Sequence, residues 1–305
     1  MGVTNFADLC SKTPLPLCSV VKSTRHFVLS NSTFIDDFAP QNLNIGILPK
    51  CYSRSVELAN TMIFNIGNAF INIGGLVVIL IILFNMRQKY TAIGRLEYIY
   101  FYQLVIAYLV FTLVVNCGVS PPGSNVYPYI VAIQLGFAGS CCWTLMINGL
   151  LAFNLWEDGT TKSMLIVRGF SFVGFISNFL ASVLTFRAWI DNRHIPSINT
   201  TGLFVVVYII NAILLFMYVL CQLMVSFFIV SNLWVTGAIV LGVAFFICGQ
   251  VLVYAFSVQI CEGCKHYIDG LFFGSICNIF TLMMVYKIWD MTTDDDLEFS
   301  INIKS

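Results

Sequence analysis

Cys261, Cys264 and His266 are the residues of this 305-residue chain whose types and spacing most plainly suggest chemistry. A Cys-x-x-Cys pair with a histidine two positions on suits either a zinc ligand set or a dithiol–disulfide couple. A structural zinc needs four convergent ligands, and the chain has no second pair at metal spacing. Ordinary disulfide use is the better account. Acid–base chemistry has even fewer candidates. There are only three histidines, His26, His194 and His266. Glu97 and Asp269 stand at the ends of apolar runs, where an interfacial or helix-N-terminal role suffices. No cofactor or metal is expected.

Those residues must be positioned by something, and composition says what. The chain is 58% hydrophobic and only 10% charged, against about 25% charged in an average soluble domain. Its mean hydropathy is +0.86. A soluble core cannot absorb that much apolar surface, so the chain is read as an integral membrane protein. Fifteen basic and fifteen acidic residues cancel, which leaves no bulk attraction to nucleic acid, and no nucleic-acid partner is expected.

A helix needs about 20 apolar residues to cross a bilayer, so runs without Asp, Glu, Lys or Arg map the crossings. The runs are 58–86, 98–156, 169–186, 194–261 and 270–286. The second is too long for one helix and breaks at Ser120-Pro121-Pro122-Gly123-Ser124-Asn125, since proline cannot continue a helix. The fourth also holds two, with a break near Ser231-Asn232. The expected fold class is all-α: a polytopic membrane protein with a seven-transmembrane-helix bundle. Its parts are a lumenal N-terminal segment at 1–57, spans near 59–86, 97–116, 127–155, 168–188, 203–230, 233–258 and 268–288, and a cytosolic acidic tail at 289–305.

Seven crossings place the termini on opposite faces. With the N-terminus outside, seven Lys or Arg flank the spans on the inner side (Arg87, Lys89, Arg95, Lys162, Arg168, Lys287, Lys304) and five on the outer side (Lys50, Arg54, Arg187, Arg193, Lys265). That is a slight positive-inside bias. The same orientation puts both glycosylation sequons, at Asn31 and Asn199, in the lumen. The first 57 residues hold no run of signal-peptide h-region length, so the first span is expected to direct insertion.

Of eleven cysteines, Cys141, Cys142, Cys221, Cys248 and Cys277 lie within spans and read as small core residues. The other six, Cys10, Cys18, Cys51, Cys117, Cys261 and Cys264, all fall on the assigned lumenal side. An even number in an oxidising compartment is read as up to three disulfides; their pairing stays open. A bridge within 10–51 would staple the small N-terminal segment.

The spans carry neutral amides. The first has Asn65, Asn68 and Asn72, which share one helical face at offsets of three and seven. Gln103, Gln134, Asn148, Asn178, Asn211, Gln222, Gln250 and Asn278 supply the others. Gly270 and Gly274 form a small-xxx-small face that Asn278 continues. Such groups lose hydrogen bonds in lipid and gain them against another helix. Two readings stand: internal glue for the bundle, or an outward face that clasps a helix of another membrane protein.

The cytosolic loops are short and hold no nucleophile–base pair. In the tail, Asp294-Asp295-Asp296-Leu297-Glu298 is either a solvated acidic stretch or, through Asp296 and Glu298, a diacidic signal read by vesicle-coat adaptors. A seven-helix receptor is the competing reading. Against it, almost nothing lies between spans five and six, no Asp-Arg-Tyr closes the third span, and no Asn-Pro-x-x-Tyr occurs in the seventh. An intramembrane enzyme ranks third, for want of acids, bases or ligands at depth.

Several longer runs carry a resemblance. Cys10-Ser-Lys-Thr-Pro-Leu-Pro-Leu-Cys18, Asn154-Leu-Trp-Glu-Asp-Gly-Thr-Thr-Lys-Ser-Met164, His266-Tyr-Ile-Asp-Gly-Leu-Phe-Phe-Gly274 and Trp289-Asp-Met-Thr-Thr-Asp-Asp-Asp296 closely resemble the fungal chitin synthase export chaperone family, in order and spacing over roughly residues 8–299. The resemblance implies a multi-pass chaperone of the endoplasmic reticulum membrane without catalytic activity. Its partner would be a chitin synthase, an integral membrane glycosyltransferase. Coat adaptors and membrane lipid are the further partners expected, and travel with the client to the plasma membrane is a further possibility.

Overall fold

The computed structural model describes residues 6–21, 47, 49–58, 61–63, 65–90, 92–120, 124–153, 157–187 and 200–302. Seven helices in it are long and apolar enough to cross a membrane: Ile66–Gln88, Arg95–Asn116, Tyr127–Leu151, Thr161–Phe186, Thr201–Val230, Leu233–Tyr254 and Gly270–Thr293. They are called spans 1 to 7 below. The all-α seven-span architecture expected from the charge-free runs is what the chain forms.

Local chemistry sets the ends of these helices. Gly94 caps span 2 at φ 67°, a left-handed conformation that glycine adopts without the Cβ penalty. Span 3 begins at Tyr127-Pro128, where proline's missing N–H is an orphan in any helix. The Thr160 hydroxyl accepts from the Ser163 N–H at 3.2 Å at the start of span 4. The turn between spans 5 and 6 falls at the expected break: Ser231 takes φ 53°, and the Asn232 side chain accepts from Trp234 N at 3.0 Å. Span 5 is not a uniform α-helix, because Val205–Ile210 and Val225–Val230 are π-helical.

Several boundaries differ from the charge-based reading; span 1 begins at Ile66 rather than 59, because Thr61–Ile63 is a strand, and spans 3 and 6 end four residues early, at Leu151 and Tyr254. Span 4 starts at Thr161 rather than 168, taking in Lys162 and Arg168, whose long stems can run along an apolar helix while their charges reach the interface. The last helix continues from Gly270 to Asn302, so 289–305 does not begin a separate tail. Its first residues belong to the bundle: Trp289 is 3% exposed and Asp290 8%.

Span 3 is the central helix. None of its residues is exposed, and it packs against spans 2, 4 and 5. Span 7 pairs with span 6 and also with span 1, which in turn lies against span 2. The main apolar cluster joins Ile79 and Met86 of span 1, Phe101 and Tyr102 of span 2, Leu145 of span 3, Tyr218 of span 5 and Trp289 of span 7.

The described residues of the N-terminal segment share a core with the bundle. A short helix, Phe6–Lys12, and a 3-10 turn, Pro16–Ser19, bury Cys10, Leu17, Cys18 and Val21 against Val115, Tyr127, Val131, Val183 and Leu203 at the ends of spans 2 to 5. A three-residue-a-side hairpin, Val56–Leu58 with Thr61–Ile63, leads into span 1.

Candidate functional site

The amides predicted along the spans form seams between this chain's own helices. Asn72 Nδ2 donates to Asn68 O at 2.8 Å and to Asn68 Oδ1 at 3.2 Å. Ser275 Oγ of span 7 donates to the same Asn68 oxygen. Asn65 precedes span 1 and accepts from Ser53 Oγ. Gly270 and Gly274 face span 6 and the turn after it: a Cβ at Gly270 would lie 2.6 Å from Leu252 O, and one at Gly274 2.3 Å from Val253 Cγ2. A second seam runs through spans 3, 4 and 5. There Asn211 Nδ2 donates to Asn178 Oδ1 at 3.1 Å, and Asn178 Nδ2 donates to Gly174 O at 2.9 Å. Gln134 Nε2 reaches Thr112 Oγ1 of span 2 at 3.0 Å. The bonds that link different spans, Ser275 to Asn68, Asn211 to Asn178 and Gln134 to Thr112, contribute about 0.6 kcal/mol each. Asn278 and Gln103 are instead exposed.

The six cysteines outside the spans divide. Cys10 and Cys18 form one disulfide and Cys51 and Cys261 another, while Cys117 and Cys264 are free thiols. The second bridge spans 210 positions of sequence and ties the segment before span 1 to the short helix Ser257–Gly263 that precedes span 7. His266 lies beside it, with Nδ1 3.3 Å from Cys51 Sγ and 3.7 Å from Cys261 Sγ. Among the described residues Cys51, Cys261 and His266 are the one group of potential ligands at metal-binding separations. Both sulfurs are spent on each other, so the trio offers no thiolate pair. Lys265 and His266 take φ 50° and 66°, a left-handed pair that costs about 1–2 kcal/mol per residue. Hydrogen bonds from Arg54 N to His266 O at 2.8 Å and from His266 N to Cys261 O at 3.0 Å hold it.

Asp269, expected at a helix N-terminus, is there. Its Oδ1 accepts from Phe272 N at 3.3 Å, and Ser53 Oγ is 3.4 Å from Oδ2. Burial pushes its carboxyl above the usual carboxylate range, and these hydrogen bonds pull only partly the other way.

The opposite end of the bundle holds a group that sequence reading underrated. Glu97 is fully buried. Its Oε1 accepts from Gly159 N at 2.9 Å and from Ser163 Oγ at 2.7 Å, so a carboxylate in the first turn of span 2 organises the loop before span 4. Asp158 Oδ2 returns the contact by accepting from Gly94 N at 2.7 Å. Nearby, Asp290 pairs with Lys89 and with Lys287, and Trp289 Nε1 donates to Ile93 O at 2.9 Å. A cleft of about 70 Å³ opens among Tyr98, Asn148, Gln222, Trp289, Thr292 and Thr293. Glu97 and the Gly159-Thr160-Thr161 loop were each visible in the sequence, but nothing local pairs a glutamate with a loop sixty residues away.

The remaining candidates lie where less can be said. Asn31 and Asn199 fall outside the described residues, and Asp296 and Glu298 lie on the helical backbone of Gly270–Asn302.

What this arrangement defines is a multi-pass helical membrane protein whose span polarity is spent mainly on holding its own helices and external segments together. The comparisons with known proteins then place it. A family profile described as chitin synthase export chaperone matches residues 2–303, and the chain belongs to that family. It is 74% identical over 303 residues to the chitin synthase export chaperone of Candida glabrata, covering 99% of this chain and 97% of that one. It is 70% identical to the protein of the same name from Saccharomyces cerevisiae, covering 99% and 96%, and 44% identical to that of Aspergillus clavatus, covering 100% and 87%. No solved structure matches.

Proposed function

We propose that this chain is a membrane chaperone that binds a chitin synthase in the endoplasmic reticulum, supports its folding and promotes its exit, and so supports cell-wall chitin synthesis. The observation that carries this reading is the identity of 70–74% to proteins named for that role, spread over nearly the whole length of both chains. The chain works by contact and performs no chemistry on its client. A synthase that passes a sugar polymer through the bilayer exposes polar and small-residue helix faces while it assembles, and a preformed bundle covers them. The N-terminus is lumenal and the C-terminus cytosolic, which puts the disulfides in an oxidising compartment and Glu97 with its loop on the cytosolic side. Asp296 and Glu298 recruit coat adaptors, and lipid surrounds the spans.

The test is a deletion strain. Chitin synthase is expected to accumulate in the endoplasmic reticulum, with cell-wall chitin reduced, and the tagged chain is expected to co-purify with the synthase in mild detergent. Normal synthase exit together with unchanged chitin rules the reading out.

A further inference from the structure

We propose that Cys264, Cys261, Cys51 and His266 form a thiol–disulfide exchange site in which Cys264 opens the Cys51–Cys261 bridge. The bridge itself is shielded: Cys51 is 2% exposed and Cys261 fully buried, so a dissolved thiol reaches either sulfur only slowly. Cys264 is free and partly exposed, and it lies one helical turn beyond Cys261, with Cys264 N donating to Ile260 O at 2.9 Å. Two residues three positions apart on a helical turn are side-by-side neighbours, and Cys-x-x-Cys is the spacing of dithiol–disulfide couples. His266 completes the site. Its Nδ1 stands 3.3 Å from Cys51 Sγ, and the residue is itself exposed and so in contact with solvent.

The step balances without an external oxidant or reductant. Cys264 loses its proton to solvent, and the thiolate electron pair attacks Cys261 Sγ. The Cys261–Cys264 bond forms as the Cys51–Cys261 bond breaks. The departing pair rests on Cys51 Sγ, which takes a proton from His266 Nδ1, and solvent restores that proton. One disulfide replaces another. A covalent tie between segments 210 residues apart becomes a tie within one turn, and Cys51 is released from the base of span 7. The new bond is reachable, so Cys264 is also the route by which an outside thiol reduces the shielded bridge.

The site is independent of which client the chain serves, and it is tested on the full chain purified in mild detergent. Free thiols are alkylated after timed exposure to reduced glutathione, and bridges are mapped by non-reducing proteolysis and mass spectrometry. Loss of the Cys51–Cys261 bridge is expected to be at least about tenfold slower in Cys264→Ser than in the unaltered chain, because attack within one turn is replaced by attack from solution. His266→Gln is expected to slow it several-fold with the bridge still formed at the start. In Cys51→Ser, mild treatment with oxidised glutathione should close a Cys261–Cys264 disulfide. Equal rates for the unaltered chain and Cys264→Ser overturn the proposal, as does a Cys51→Ser chain whose Cys261 and Cys264 both stay thiols. An unchanged rate in His266→Gln overturns its part as proton donor.

Discussion

Asn211 of span 5 donates a hydrogen bond to Asn178 of span 4 across 3.1 Å, and Asn178 is wholly buried as it accepts. Span 3 fits this pair by having no side chain there: a Cβ on Gly139 would stand 2.0 Å from Asn178 Nδ2. The seam therefore depends on an absent side chain as much as on two amides. Replacing Asn178 by Ala is expected to cost about 0.6–1.7 kcal/mol, the span of measured interhelical bonds. Gly139→Val is expected to cost more, since overpacking adds about 1–3 kcal/mol and displaces the amide too. Unfolding in mixed micelles with increasing SDS measures both; a Gly139→Val chain as stable as the unaltered one contradicts the account.

Glu97 gives a second prediction. Removing its carboxylate takes the acceptor from Gly159 N and from Ser163 Oγ; Gly159 is exposed and turns to water, so the loss expected is about 1–3 kcal/mol for the buried Ser163 bond alone. Glu97→Ala should lower stability in detergent and expose the loop at 157–163 to protease. Glu97→Gln keeps one oxygen acceptor and should lose less. If the two variants behave alike, charge rather than hydrogen bonding holds the loop.

The Asp269 carboxyl is raised by burial, which fixes the sign of its pH dependence. Between the ordinary carboxylate range and the raised folded value, the folded state binds more protons than the unfolded one. Stability contributed by this group therefore falls as pH rises through that window and stays low at neutral pH. Asparagine caps a helix about as well as aspartate, so Asp269→Asn should be at least as stable as the unaltered chain at pH 7, with the gap closing near pH 4. Thermal unfolding at the two pH values reads it. A large loss at pH 7 with no narrowing at pH 4 refutes it.

The proposed coat-adaptor role of Asp296 and Glu298 predicts that export can be separated from folding. Their double replacement by Ala should leave both disulfides and synthase co-purification intact while retaining the pair in the endoplasmic reticulum. Fluorescence localisation of the tagged synthase checks this, and normal arrival at the cell surface removes the motif from the mechanism.

Much of the architecture was readable in one dimension. A span is a local property: about 20 apolar residues suffice, whatever lies elsewhere in the chain, and turn chemistry at Ser231-Asn232 marks a hairpin by itself. The amides were equally visible as a set. Which of them meet was not, because the spans are apolar on nearly every side. Lipid tails are as apolar as leucine, so no hydrophobic stripe tells an inward face from an outward one. Asn68 turned inward and Asn278 stayed exposed, although both read alike as amides within spans.

From its residues alone this protein was determined to be a seven-span membrane bundle, to carry its unassigned thiols at one end and to resemble a chaperone family. Tertiary structure decided what depends on distant segments meeting: that Cys51 pairs with Cys261 while Cys264 stays free, that Glu97 closes a loop sixty residues away, and that Trp289 belongs to the bundle rather than the tail. The reason is physical. Insertion is a sum over consecutive residues, whereas a disulfide or a buried hydrogen bond requires two groups to arrive within a few ångströms, and only the packed helices set that distance.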